Sequence, residues 1–296
     1  MKTLFITDVF GQLGNRLFRS ARLQLDKPAE VALLDLTLCD YARLYQPCGF
    51  GRQTVFRFLG LFDGRFVSRL HALVPRVAQQ HVPAQSRRGS APPLTTSCQR
   101  LYSEILASPR FLHHVERHSY YFDCVPPSPA GKARLREIFR LRERYELEAS
   151  RLMARIPQNS TIVAVHIRRG DYREYAGGKS FFDDSVYLQA VTKLQASHGA
   201  PPNLAFIPVS DEVLDAASFD RAGIHYFGPQ SLGVDQAILS RSSYILGPSS
   251  TFSAWPAFLH DIPRAEIGHR DNLPGWGDFS ATDANFRTES PAAAAP

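Results

Sequence analysis

His166, Arg168, Arg169 and Asp171 fall within the six-residue run His166-Ile167-Arg168-Arg169-Gly170-Asp171 and together offer a base, two permanent cations and a carboxylate. An arginine fork suits a diphosphate, because its planar N–H donors match phosphate oxygens and stay charged at any ordinary pH. His and Asp are the side chains most often used to move a proton. Strand alternation sends His166 and Arg168 to one face and Arg169 to the other. One arginine can then reach a ligand while its neighbour pairs with a carboxylate such as Asp171. A strand end stabilised by a local ion pair would show the same four residues, so the cluster gains meaning only from what converges on it.

Two further groups could converge. Gly247-Pro248-Ser249-Ser250-Thr251 precedes an apolar helical stretch. Exposed N–H groups at the positive end of a helix dipole, with hydroxyls beside them, make an anion site. Simple N-capping by Ser249, Ser250 or Thr251 uses the same residues. Asp211 follows Ser210 at the end of the apolar run Leu204–Val209. In one parallel sheet these strand ends open on the same side, where α/β folds bind ligands. A pyrophosphate held between the Arg168 fork and the Ser-Ser-Thr turn needs no metal. That arrangement suits a reaction whose leaving group is a nucleoside diphosphate.

The elements that must position these groups are legible around them. Thr161–Ile167 is a continuous, β-branched run, as expected of a strand buried on both faces. Leu204–Val209, His225–Phe227 and Tyr244–Leu246 read as further strands. Ser185–His198, Val213–Ala217, Val234–Arg241 and Phe252–His260 read as helices. Alternation at this spacing predicts a parallel sheet covered on both sides. Upstream, Lys2–Thr7 and Glu30–Thr37 read as strands. Between them Gly11-Gln12-Leu13-Gly14-Asn15 reads as a glycine-bearing turn into a helix, a β-turn-α entry without the spacing of a dinucleotide fingerprint. Ser128-Pro129 reads as an N-cap and first helical position. One long helix from there to Pro157 is predicted to join two halves. Residues 38–82 are mixed, Pro83–Ser97 reads as a loop or linker, and Ser290–Pro296 as a disordered tail.

The chain has 296 residues, 44% apolar and 21% charged, which is the composition of one large or two ordinary globular domains. No apolar run approaches the ~20 residues of a membrane helix. The short apolar start runs into an acid and a glycine, unlike a cleaved leader. Cys39, Cys48, Cys98 and Cys124 show neither paired nor metal-ligand spacing, so reduced thiols and a cytoplasmic setting are expected. The net charge of +6 comes from a basic set in which 29 of 34 residues are arginine. That balance allows a polyanionic partner, but no zinc-finger or aromatic-glycine RNA-binding pattern accompanies it, so nucleic acid is not expected.

The run from His166 to Asp171 resembles the His-x-Arg-Arg-x-Asp signature of α-1,2- and α-1,6-fucosyltransferases and protein O-fucosyltransferases. The whole chain resembles glycosyltransferase family eleven, the α-1,2-fucosyltransferases. Gly11-Gln12-Leu13-Gly14-Asn15-Arg16-Leu17-Phe18 is similar to that family's opening Gly-Gly-Leu-Gly-Asn-Gln-Met-Phe, and Phe206–Asp211 to its strand ending in Ser-Asp. Asp235 with Leu239-Ser240, Ile245-Leu246-Gly247 and Ser249-Ser250-Thr251-Phe252-Ser253-Ala254-Trp255 match in order. Gln12 and Arg16 depart from that pattern, as do Ala254 and Pro256 beside Trp255.

The resemblance implies an α/β protein of two Rossmann-like domains facing across a cleft, the GT-B type. Residues 1–157 would form the acceptor-side domain with its linking helix, 158–289 the GDP-sugar-binding domain, and 290–296 a tail. It implies a metal-independent, inverting transfer of L-fucose from GDP-β-L-fucose to a glycan, a terminal β-galactoside through an α-1,2 linkage. Arg168 would contact the pyrophosphate, and Ser249, Ser250 and Thr251 the phosphates or ribose. Gly14 and Asn15 would face the sugar–phosphate region. Asp211 would line the donor site, and Asp235 would meet the nucleoside or the adjoining loop. His166 and Asp171 are the candidate proton acceptors, either of which could instead be structural. A different nucleotide-sugar donor, or a basic anion-binding protein without catalysis, fits the same residues.

Overall fold

The computed structural model describes residues 2–6, 11–25, 27–35, 38–46, 81–82, 98–109, 112–115, 127–221 and 223–281. The expectations for 47–80, Pro83–Ser97 and Ser290–Pro296 lie outside them. The chain divides into two compact units, Met1–Arg140 and Leu141–Ala284.

The first unit contains strands β1 (Lys2–Ile6), β2 (Val31–Asp35), β3 (His81–Val82) and β4 (Leu112–Val115), in the order β2-β1-β4-β3, all parallel. Helices α1 (Leu13–Leu25), α2 (Cys98–Ala107) and α3 (Pro129–Ile138) accompany them. Leu4 and Ile6 of β1 bury against Leu23, Val31, Leu33, Leu101, Tyr102 and Ile105. Helix α1 begins at Leu13, so Gly14 and Asn15 sit in its first turn. The turn itself is shorter than expected, and Gly11 makes it with φ of 72°. Arg16 holds that turn, donating from Nε to the Gly11 carbonyl (2.8 Å) and from Nη1 to Asp40 (2.8 Å).

The expected long helix is two. Ser128 caps α3, accepting from the Gly131 amide as Ser-Pro predicts, but α3 stops at Ile138 and α4 (Glu143–Met153) starts afresh. No glycine or proline marks the break. It is tertiary: the Gln46 amide takes the Arg140 carbonyl (2.7 Å), and Tyr45 packs edge-on against Phe139. The division of the chain falls at this break, upstream of the boundary expected near Pro157, and α4 packs in the second unit against α7 (Leu232–Leu239). Gly233 makes that packing close, since a Cβ there would lie 2.6 Å from the Tyr145 ring.

In the second unit β5 (Thr161–Ile167) lies between β6 (Leu204–Ser210) and β7 (Tyr244–Gly247), with β8 (Arg264–Glu266) beyond β7, again all parallel. Val163, Val165 and Ile167 face α5 (Asp184–Ala196) and its Val186, Tyr187, Ala190, Val191 and Leu194. Two assignments change. His225–Phe227 makes no strand, because only Ile224 bridges to Phe206, and the short helix α6 runs over Ala216–Phe219, not Val213–Ala217. Strand β8 was not anticipated, being only three residues long. Helix α8 (Thr251–His260) contains Pro256, which has no N–H for the Phe252 carbonyl one turn back. Gln236 Nε2 of α7 supplies that hydrogen instead (2.8 Å). No described helix is long and apolar enough to cross a membrane.

Candidate active site

Because the second sheet is parallel, the carboxyl ends of β5, β6 and β7 open at one end, and the residues that follow them meet there. After β5 the chain folds at once into a 3-10 turn, Gly170–Arg173. Arg168 lies between two carboxylates, Nη2 on Asp171 (2.6 Å) and Nη1 on Asp211 (2.9 Å). Arg169 pairs instead with Asp184 in the first turn of α5. The alternation expected for the two arginines is therefore present, but the partner is corrected. Asp171 belongs to Arg168, because the tight turn brings residue 171 back over residue 168.

Asp211 also accepts the Arg169 amide (3.0 Å), clasping the β5 end from the β6 side. This contact explains Gly170. Its backbone is not left-handed, but a Cβ there would lie 2.8 Å from the Asp211 carboxylate. The glycine lets the Asp211 carboxylate approach the backbone closely.

Tyr172 connects the arginine to the hydroxyl turn. Its ring lies 5.6 Å from the Arg168 guanidinium, and its hydroxyl donates to the Ser249 carbonyl (2.7 Å). Burial raises the phenol further above its usual range, so it stays a donor. Sequence reasoning passed over Tyr172, since nothing in the local pattern signals a bond to a residue 77 positions away.

The turn after β7 divides its hydroxyls by task. Ser250 is the N-cap of α8: buried, it accepts the Phe252 amide (3.3 Å), so for this residue the capping alternative describes its hydroxyl. Ser249 and Thr251 on either side are exposed. Beneath the turn Arg264, only 4% exposed, donates to the Pro248 carbonyl (2.6 Å) and pairs with Glu266 (2.5 Å). It places a fixed positive charge under the start of α8. A lone arginine in an unforeseen edge strand gave no signal.

His166 faces the same side as Arg168 but is interior, 2% exposed, with its ring 5.4 Å from Phe252. Burial first, then the Arg168 and Arg264 charges, push its pKa down to about 3. It is a neutral imidazole packed under the site. Gly247 lets β7 pass it: a Cβ there would sit 2.7 Å from the His166 carbonyl oxygen. Asp235, in the first turn of α7, is also buried. Its pKa is pushed up to about 7, by burial first and then by the Asp211 charge.

His166, Arg168, Asp171, Asp211, Asp235, Ser249, Ser250 and Thr251 thus belong to one end of one sheet, and Arg168, Asp171, Asp211, Tyr172 and Ser249 are joined by direct contacts. Gly14 and Asn15 lie in the first unit. Among the described residues no group of three or more His, Cys, Asp or Glu is arranged to hold a metal.

Residues 113–271, just over half of the chain, match the family model for glycosyl transferase family 11. The chain belongs to glycosyl transferase family 11. The matched span contains every site residue of the second unit, and Gly14 and Asn15 lie outside it. No curated protein sequence matches the chain. Among solved structures, the fucosyltransferase NodZ from Bradyrhizobium is similar at a TM-score of 0.53 and 13% identity, over 91% of this chain and 97% of that one. A variant of Arabidopsis thaliana FUT1 in complex with GDP superposes at 0.54 and 13% identity, over 94% of this chain and 73% of that one. POFUT1 in complex with GDP superposes at 0.51 and 13% identity, over 90% and 98%. At such identities the likeness speaks for the fold, which is α/β of the GT-B type.

Proposed function

We propose that this glycosyltransferase moves L-fucose from GDP-β-L-fucose to a glycan, with inversion and without a metal, forming an α-1,2 linkage to a terminal β-galactoside. The observation that carries the reading is the Arg168–Tyr172–Ser249 contact chain, which ties a guanidinium to a hydroxyl-bearing helix start at one sheet end. Family membership supports the reaction class. NodZ is an α-1,6-fucosyltransferase whose crystals were soaked with GDP-fucose, and POFUT1 has been crystallised with GDP-fucose, which supports the donor.

In the proposed reaction the bond from the anomeric carbon to the diphosphate oxygen breaks, and its electron pair leaves with GDP. The acceptor oxygen attacks the opposite face and its proton passes to solvent water. Charge builds on the diphosphate, so preorganised donors there lower the barrier most. Arg168 is assigned that role, with the α8 start and its exposed Ser249 and Thr251 taking the remaining phosphate oxygens. Arg264, bonded to the Pro248 carbonyl beneath the turn, and the α8 dipole add positive potential at the turn. Asp235 is assigned to the nucleoside end, beside Asp211. Gly14 and Asn15 are assigned to the donor on their motif alone. His166 we assign to packing, since a buried imidazole titrating near pH 3 is a poor proton acceptor at neutral pH. Departure of GDP, driven by Arg168, is the main source of rate.

Thermal-shift titration of the whole chain against GDP, UDP and polyphosphate tests the donor. Saturable stabilisation by GDP alone is expected, followed by transfer from GDP-fucose to a β-galactoside panel with the linkage read by NMR. Stabilisation by UDP instead points to another nucleotide sugar. Stabilisation only by polyphosphate, abolished by salt, returns the chain to a simple anion binder.

A further inference from the structure

The contacts at the end of β5 do not stop at the Ser249 turn. Tyr175 stacks on Tyr172, with ring centroids 5.6 Å apart and planes at 28°. It is 64% exposed, the one aromatic among the exposed large apolar side chains of the described residues. Its segment is anchored on both sides. Tyr172 is bonded to Ser249, Arg173 pairs with Glu212 (2.8 Å) and lies over Phe181, and Phe182 is buried in the core. Gly177 and Gly178, at φ of 68° and 74°, turn the chain back just past Tyr175, and a Cβ at Gly177 would meet nothing within 4 Å. An open ring face is thus held on a pinned loop with clear space beside it.

The order of the side chains says what that face meets. Asp211 holds Arg168, Arg168 lies against Tyr172, and Tyr172 carries Tyr175, while Asp235 is in the first turn of α7. A nucleotide sugar is linear: base, ribose, diphosphate, sugar. With the diphosphate at Arg168 and the nucleoside toward Asp235, the sugar lies toward Tyr172, and Tyr175 comes one step beyond the donor. A pyranose has one face of C–H bonds, weakly positive, that suits the negative face of an aromatic ring, and rings of this kind line many ligand sites.

We propose that Tyr175 is the stacking platform for a pyranose ring of the acceptor glycan, and so a specificity-determining residue of the transfer. The inference rests on the GDP-sugar reading above. The test uses full-length wild type, Tyr175→Ala and Tyr175→Trp, with GDP titration, GDP-fucose hydrolysis, and transfer to methyl β-galactoside, lactose and N-acetyllactosamine. Tyr175→Ala should raise the acceptor KM about three- to ten-fold, the worth of one aromatic contact. GDP affinity and donor hydrolysis should stay within two-fold, and Tyr175→Trp should keep the low KM. An unmoved acceptor KM, or a GDP affinity that falls with it, overturns the platform while leaving the donor reading standing. Wild type that binds no GDP overturns the donor reading and the platform with it.

Discussion

Arg168 and Arg169 are neighbours in sequence and opposites in structure. Each side chain is largely covered, 12% and 13% exposed, and each is paired, so exposure alone does not separate them. Their partners do. Arg169 meets Asp184 in the first turn of α5, beside the core formed by Val163, Val165 and Ile167, and holds a helix to a sheet. Arg168 meets Asp171 and Asp211, whose side chains are 44% and 20% exposed, and lies against Tyr172 at the mouth of the sheet. Two carboxylates fix that guanidinium in direction at the carboxyl end of the sheet. Chemistry is therefore assigned to the arginine held by two carboxylates at the mouth of the sheet, and stability to the one that ties a helix to the sheet.

The largest effect that can break this comparison is Arg168→Ala. If Arg168 takes the charge of the departing diphosphate, kcat/KM should fall about 10²–10³-fold, as for loss of one preorganised donor. The melting temperature should move little, since Asp211 keeps its bond to the Arg169 amide. Turnover near the wild-type rate would remove the catalytic side of the contrast.

Next in size is a pH effect from Asp235, on the Arg168 side. Unfolded, this carboxyl titrates near 3.8, and folded near 7, so between those values the folded state holds a proton the unfolded chain lacks. Stability then declines as pH climbs from about 4 to about 7 and stays lower above that. Asp235→Asn should lose this slope and exceed wild type by about 2 to 4 kcal/mol at pH 8 in urea denaturation. A variant whose pH profile parallels wild type would mean that burial does not hold a proton on this carboxyl.

Arg169→Ala tests the structural side. It strands the Asp184 carboxylate at the α5 start, where the helix dipole returns part of the loss. Stability should drop about 1–3 kcal/mol, with donor turnover within about three-fold once folded protein is compared. A large loss of kcat without a thermal shift would reverse the two roles.

Much of this contrast was readable in advance, and the reason is periodicity. The β-branched run Thr161–Ile167 fixes a buried strand, and a period of two then assigns Arg168 and Arg169 to opposite faces before any contact is known. Side-chain partners are another matter. That Asp171 turns back to Arg168 depends on the 3-10 turn after the strand, and that Tyr172 reaches Ser249 depends on two strand ends being neighbours. Arg264 was invisible because a three-residue edge strand has no period to detect. The break between α3 and α4 was invisible because Gln46 and Tyr45, far away in sequence, cause it. Spacing reports local geometry, and these features are made by contacts between distant segments.

The smallest expected effect separates the two jobs open to Asp171. As the acceptor's base, it would be indispensable in its ionised form, and Asp171→Asn would cost about 10²–10⁴ in rate and abolish the acid limb of the pH profile. As the second holder of Arg168, it is replaceable in part: Asn keeps a carbonyl acceptor in the same place, and Asp211 still grips Nη1 at 2.9 Å. Losing one charge-assisted bond at a side chain 44% exposed should then cost roughly 1 kcal/mol, about five- to ten-fold in kcat/KM. The acid limb should survive, and donor affinity should weaken along with turnover, because a less firmly aimed guanidinium binds ground and transition states alike less well. Geometry favours this outcome. A carboxylate 2.6 Å from the guanidinium that receives the leaving group's charge is already engaged, and accepting the acceptor's proton would break the very pair that keeps Arg168 in position.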